Sequence, residues 1–416
     1  MRHFLKPLPA SSRPRLGGPH AGPDRAGRRA SIIEPVTDLD TRVAPPGAPT
    51  RLRAAPALLG YAAVRALGLL ALALWSAARG TSAYKLLTAR WDALWYVRVA
   101  ELGYGYEVRL PNGDVHSNLA FFPLLPWLER LLHATTPLSY ADAGFTVSLA
   151  ASLAAAWGIF AVADRLYGHR AGVCAVLLWA VLPVGIVQSM AYSESLFTAL
   201  AAWSLYAVLT GRWGTAGALA ALCGLTRPVG LAVVAAVWAA GLFPRGERVR
   251  GVARRAAGLA LAPLGTAGYV LWVGHRTGGG LFGYLDVQAG WRNGFDGGRA
   301  FAGFVADKFT SVPGALAGLG LIAGVAALVL LYVVGVRQRQ PLALLVYSGV
   351  VLALALCASS YFGSKPRLLL PAFPLLFPLA RALARLRTRA TALVTVGVAV
   401  ASAVYGAWWL NGSGPP

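Results

Sequence analysis

Apolar stretches of close to 20 residues recur along the chain, separated by short turns rich in arginine. A run of that length is what a hydrocarbon core of about 30 Å asks of a helix. Hydrophobic residues make up 57% of the 416 and charged residues only 13%, so the predicted class is an all-α polytopic membrane protein. The net charge is +22. On a soluble domain that excess would point to nucleic acid; here the basic residues lie between apolar runs, as the positive-inside bias requires, and no nucleic-acid partner is expected.

Placing every dense arginine cluster on one side gives about 11 transmembrane helices, with the N-terminus cytoplasmic and the C-terminus outside. Residues 1–53 read as a disordered basic cytoplasmic tail, too poor in apolar groups to offset the entropy of ordering. The membrane domain then runs over residues 54–411. Its spans are expected near 54–78, 139–163, 171–188, 195–210, 255–274, 313–336, 341–358, 367–384 and 390–410, plus a short hairpin after Arg212. The loops 79–138 and 275–312 fall outside, and the first of them carries an amphipathic helix. The hairpin is broken at Arg227-Pro228. Its halves of roughly 14 residues reach about 20 Å each, short of a full span. Arg227 at the tip would lie in the outer half of the membrane, where an ionisable residue is a functional candidate, or a structural arginine that snorkels or pairs with an acid. Arg65 is the internal charge of the first span. The cysteines Cys174, Cys223 and Cys357 show no metal or redox spacing and read as small buried hydrophobes.

Directly after the first span comes Trp91-Asp92-Ala93-Leu94-Trp95-Tyr96. As a helix it puts Asp92 and Tyr96 on one face beside an aromatic surface, suited to the headgroup zone. Asp92 is a candidate base or simply the helix N-cap. The expected outer face also collects Asn118, Glu194, Asp286, Gln288, Trp291, Asn293, Lys365 and Arg367. Mixed polar groups there, against plain arginines on the other side, indicate a site at the outer face. A transporter or flippase should carry charges through successive helix centres, and apart from Arg65 and Arg227 few occur. That reading, and a non-catalytic envelope-assembly scaffold, stay open as alternatives.

No glycine-rich phosphate loop, GxSxG elbow or HExxH helix occurs. A nucleotide donor is therefore unexpected, and an enzyme of this build would take an activated substrate carried in the lipid. Sugar transfer from a phosphate leaving group needs a carboxylate base, cations for the phosphate and aromatic surfaces for the sugar. Asp92 fits the first, Arg227 with Lys365 or Arg367 the second, and Trp91, Trp95 or Trp291 the third.

Five motifs in order carry a resemblance: Trp91-Asp92-x-x-Trp95-Tyr96-x-x-x-Ala100-x-x-Gly103-Tyr104; Ala120-Phe121-Phe122-Pro123-Leu124-x-Pro126; Tyr192-Ser193-Glu194-Ser195-Leu196-Phe197; Thr226-Arg227-Pro228-x-Gly230; and Gln288-x-x-Trp291-x-Asn293-Gly294-Phe295. Together they resemble the PIG-V mannosyltransferase family within the multispanning GT-C glycosyltransferases, a family with bacterial members. The fourth motif departs from the family at Pro228. Pro366-Arg367-x-x-Leu370-Pro371-x-Phe373-Pro374 is similar to a late loop of bacterial GT-C members.

The resemblance implies a GT-C-like fold and inverting transfer of mannose, or a related sugar, from a polyprenyl-phosphate sugar. The acceptor would be an envelope glycolipid, glycan or protein, and the setting the outer face of the plasma membrane, among membrane lipids. It implies no cofactor and no metal site. Asp92 would be the catalytic residue. Trp91, Trp95, Tyr96, Glu194, Arg227, Gln288, Trp291, Asn293, Lys365 and Arg367 would bind substrate. Glu194 reads equally as an acid favoured by a helix N-terminus, and Trp291 as an interfacial anchor.

Overall fold

The computed structural model describes residues 50–243, 251–412 and 414. The predicted tail 1–53 lies outside the described residues except for its last turn, which already belongs to the first helix. That helix, α1 (Thr50–Ala78), is followed by α2 (Ala83–Thr88), α3 (Asp92–Leu102), the ribbon β1 (Glu107–Arg109) and β2 (Val115–Ser117), and α4 (Leu124–Thr135). Then come α5 (Tyr140–Tyr167), α6 (His169–Ala180), α7 (Ser193–Leu209), α8 (Trp213–Gly224), α9 (Gly230–Leu242), α10 (Val252–Leu261) and α11 (Leu264–Thr277). The last part comprises α12 (Gly283–Gly290), β3 (Gly294–Phe295), α13 (Arg299–Asp307), α14 (Val312–Arg337), α15 (Leu342–Cys357), β4 (Ala358–Ser359), α16 (Lys365–Leu368), α17 (Phe377–Arg385) and α18 (Thr388–Leu410).

The fold is all-α and polytopic. By length and composition, five of the described helices can cross a membrane: Arg53–Ala78, Tyr140–Tyr167, Val252–Thr277, Val312–Arg337 and Thr388–Leu410. A sixth crossing results if Phe362–Leu368 and Phe373–Arg385, bent by 75°, form one broken span. Each segment predicted to span contains a helix, yet α6, α7, α8, α9 and α15 are shorter apolar helices of 10–17 residues. The sequence count of about 11 is therefore a count of apolar helices, of which five or six have full length. α14 shows what a lipid-facing helix looks like, with Leu316, Leu319, Ile322 and Leu330 all exposed.

Two expected spans are interrupted, each for a local reason. The predicted segment 171–188 is helical only to Ala180; Pro183 cannot continue the ladder, and the chain resumes as a 3-10 turn over Gly185–Ser189. The predicted segment 367–384 kinks where Pro371 and Pro374 interrupt it. The expected short hairpin is present as α8 and α9. Its tip turns tightly because Gly224 and Gly230 touch, and a Cβ on Gly230 would lie 2.7 Å from the Gly224 Cα.

Segment 79–138 carries the predicted amphipathic helix as α3, and the polar turn as the β1–β2 connection. There Asn112 Oδ1 accepts from the Asp114 backbone N–H at 3.1 Å, an Asx turn. α4 is too short to span and leaves Trp127 and Leu131 exposed. In segment 275–312, β3 pairs antiparallel with β4, tying that segment to the end of α15. The core beneath both segments is built on Tyr61, Phe160, Trp179, Tyr192, Phe197, Tyr347, Phe373 and Phe377. Cys174 and Cys223 are buried within it as expected; Cys357 is partly exposed.

Candidate active site

The residue before Asp92 is held in a backbone conformation that side chains rarely adopt. Trp91 has φ +50° and ψ −123° and makes no side-chain cap bond. Strain of this kind amounts to roughly 1–3 kcal/mol and persists where the surroundings fix it. Here Trp91 packs on the core and the Arg90 guanidinium sits 4.0 Å from its ring centre. The N-cap position is therefore Trp91, and Asp92 is the first helical residue. Its carboxylate leaves the helix end and lies with Oδ2 2.7 Å from Arg367 Nη1.

Arg367 reaches this point because α16 is the short arm of the bent pair. Its Nη1 also lies 3.6 Å from Glu194 Oε1, and its guanidinium is 5.1 Å from the centre of the Tyr192 ring. Glu194, in the first turn of α7 and 2% exposed, has Oε1 2.7 Å from Nη1 of Arg227. Arg227 comes from the tip of the α8–α9 hairpin, and also donates to Ser193 Oγ at 3.0 Å. Ser193 Oγ in turn is 2.7 Å from the Tyr96 hydroxyl. The result is an alternating row, Asp92, Arg367, Glu194, Arg227, drawn from four parts of the chain and closed by Ser193 and Tyr96. Asp92 is its most open member, with a side chain 22% exposed against 2% for Glu194.

Burial raises the Tyr96 phenol above its ordinary value; Arg227 opposes the shift, and Asp92 and Glu194 add to it. Burial likewise pushes the Tyr192 phenol well up, helped by the Asp92 carboxylate. Both phenols stay protonated at neutral pH. Two acids balance two arginines, so the row can take a phosphate only by exchanging partners.

An aromatic cluster adjoins the row at Tyr96, whose ring meets Phe121 edge-on at 5.2 Å. Phe121 stacks on Trp95 at 5.5 Å, and Trp95 meets the edge of Trp291 at 4.9 Å. His116 lies flat on Trp291 at 4.0 Å, with its imidazole held below the usual range chiefly by burial. The Trp291 indole N–H donates to the Ser117 carbonyl at 3.0 Å. Gln288 and Asn293 are engaged with each other: Asn293 Nδ2 donates to Gln288 Oε1 at 3.0 Å, and Gln288 Nε2 to the Tyr284 hydroxyl at 2.7 Å. They shape the end of α12 beside the aromatic cluster.

Of the residues expected from sequence, Asp92, Tyr96, Glu194, Arg227 and Arg367 come together, with Trp95 and Trp291 in the adjoining cluster. Trp91 shapes the start of α3. Lys365 goes elsewhere: its Nζ donates to the carbonyls of Ala355 at 2.8 Å and Ala358 at 2.7 Å and faces the Phe301 and Phe362 rings. Asp114 is paired with Arg292 at 2.6 Å. Asn118 is a structural lock, its amide bonded to Gly103 and Gly105 at the end of α3. Ser193 and Tyr192 were missed as site residues, although both stand in the Tyr192-Ser193-Glu194-Ser195 motif. Among the described residues, no group of three or more His, Cys, Asp and Glu side chains is placed to hold a metal ion.

The family model described as Mannosyltransferase (PIG-V) matches residues 81–242, which hold Asp92, Tyr96, Ser193, Glu194 and Arg227. No curated protein matches the chain in sequence. Among solved structures, the chain is similar to ArnT from Cupriavidus metallidurans bound to undecaprenyl phosphate, at 15% identity and a TM-score of 0.51; the match covers 84% of this chain and 63% of that one. A second similarity is to the archaeal oligosaccharyltransferase AglB from Archaeoglobus fulgidus in complex with an inhibitory peptide and a dolichol-phosphate, at 12% identity, TM-score 0.44, and 86% and 56% coverage. The chain thus spans less than two thirds of the length of these relatives. The ArnT likeness is one of fold.

Proposed function

We propose that the chain is an inverting glycosyltransferase that moves mannose, or a related sugar, from a polyprenyl-phosphate sugar to an acceptor hydroxyl at the outer membrane face. The observation that carries this reading is the convergence of Asp92 with two arginines, from segments remote in sequence, under the partly exposed end of α3. The family match over 81–242 supports the sugar chemistry, and the lipid phosphate bound to ArnT supports the carrier.

In this mechanism the donor phosphate enters between Arg367 and Arg227. Phosphate oxygens take the guanidinium that now faces Asp92, and the freed carboxylate accepts the proton of the acceptor hydroxyl. The acceptor oxygen attacks the anomeric carbon from the side opposite the phosphate. As that bond forms, the carbon–phosphate oxygen bond breaks, and the polyprenyl phosphate leaves as an anion held by both arginines. Glu194 keeps Arg227 and Arg367 at a fixed separation. Trp95 and Trp291 flank the sugar, and the protonated Tyr96 hydroxyl holds Ser193. The acceptor is an envelope glycolipid, glycan or protein.

The test is transfer from radiolabelled polyprenyl-phosphate mannose in membranes containing the full chain. Asp92→Asn preserves size and should lower turnover by roughly 10²- to 10⁴-fold, the usual contribution of a general base. Turnover at the wild-type rate would remove the base from Asp92.

A further inference from the structure

Arg65 lies in the first membrane-spanning helix, yet it touches neither substrate groups nor an acid. It is 7% exposed, and no acidic partner is found among the described residues. A charge inside a span persists only when something holds it there. Its two terminal nitrogens donate to the backbone carbonyls of Ala180 and Gly185, and its guanidinium approaches the Tyr61 ring at 5.9 Å.

Those carbonyls mark the two ends of the break between α6 and the 3-10 turn. The last four carbonyls of any helix lack helical partners, and at membrane depth water does not supply them. Side chains from the turn itself and from two other helices do so here. Gln188 Nε2 donates to Trp179 O at 2.8 Å, Arg65 to Ala180 O, and Ser402 Oγ of α18 to Leu182 O at 2.8 Å. Gln188 closes the gap from within the turn, and Arg65 closes it from another helix, joining the end of α6 to the first residue of the turn. Gly185 fits because it has no side chain: a Cβ there would stand 2.8 Å from both Ala180 O and Arg65 Nη2.

The clamped turn leads directly into the site. Gln188 O accepts from Ser195 Oγ at 3.1 Å, the Ala191 N–H donates to Leu87 O at 2.9 Å, and Ser148 Oγ donates to Tyr192 O at 2.6 Å. The next two residues are Ser193 and Glu194, which hold Arg227. We propose that Arg65 is a positioning residue: by bridging Ala180 and Gly185 it fixes the unwound segment 181–192, and so sets Ser193 and Glu194 opposite Asp92. The structural effect stands alone; its effect on transfer rests on the proposed function.

The test uses the full chain in lipid nanodiscs, with Arg65→Gln, Arg65→Lys and Gly185→Ala. Gly185→Ala keeps the charge and wedges the clamp from the loop side, so it decides the matter if Arg65→Gln does not fold. Hydrogen exchange of peptides covering 185–194 should quicken by roughly tenfold or more in Arg65→Gln and Gly185→Ala while the rest of the chain is unchanged, with partial recovery in Arg65→Lys. In the transfer assay the same variants should raise donor KM and leave acceptor KM alone. Exchange in 185–194 within about twofold of wild type, or quickened uniformly over the chain, overturns the proposal. If wild-type nanodiscs transfer no sugar, the proposed function falls, and the exchange measurement still decides the role of Arg65.

Discussion

Lys365 and Arg367 stand two residues apart on α16 and face different neighbours. The sequence offered both as phosphate ligands, since a basic pair beside a proline has no direction of its own; the helix then sends one to Asp92 and the other to carbonyls of Ala355 and Ala358. Lys365→Met should therefore lower thermal stability by about 1–3 kcal/mol, the penalty for stranding buried acceptors, while donor KM stays at the wild-type value. Arg367→Gln should raise donor KM, and both are read by melting in detergent and by steady-state transfer. Glu129 was invisible in the same way. It stands unremarked in the apolar run around α4, yet its carboxyl is 0% exposed and lies against Gly144, which leaves room for it. Burial raises its pKa well above the ordinary value. The folded state therefore keeps a proton that the unfolded chain releases above its own pKa. Stability is fully present below that unfolded value and is lost as pH rises towards the folded one. Glu129→Gln cannot titrate, so it should raise the melting temperature at pH 8 and change it little at pH 4, measured over a pH series.

Elements were legible wherever an apolar run was long and uninterrupted, and less so where prolines divided one. α5, α14 and α18 lie where the apolar runs put them. The segments 171–188 and 367–384 look like spans because hydropathy sums residues without asking whether the ladder can continue through Pro183 or Pro371. These breaks are also where the site is made: unwinding after α6 delivers Ser193 and Glu194, and the 75° bend delivers Arg367. The hairpin tip was readable from length alone, but its partner was not, because no local pattern joins Arg227 to Glu194. Their pair gives a prediction about the α7 and α8–α9 elements together. Arg227→Met leaves Glu194 with only the 3.6 Å contact to Arg367 and should destabilise by roughly 3–5 kcal/mol, as breaking a buried pair does. Adding Glu194→Gln should recover most of that loss in a double-mutant cycle, since the two side chains touch. Transfer should remain absent in the double variant.

At the scale of the whole molecule, the one-sided distribution of arginines predicts which face the site opens to. The β1–β2 turn is the place to ask. Asn112→Cys in a Cys357→Ser background should react with a membrane-impermeant maleimide on intact cells; reaction only after lysis would put the site on the cytoplasmic face. The coincidence of short helices with long ones has a further consequence, for how the chain enters the bilayer. A helix of 12 residues reaches only about 18 Å, so α6, α8 and α9 lack the length to cross by their own partition energy. α5 and α10–α11, which flank them in the chain, do have that length. Insertion must therefore proceed in groups, with the short helices carried in against partners already placed. α9 packs on α15, which is synthesised about 100 residues later. The hairpin that presents Arg227 thus waits for α15 to complete its packing, and a chain stopped after α9 should be recognised by membrane quality control as unassembled.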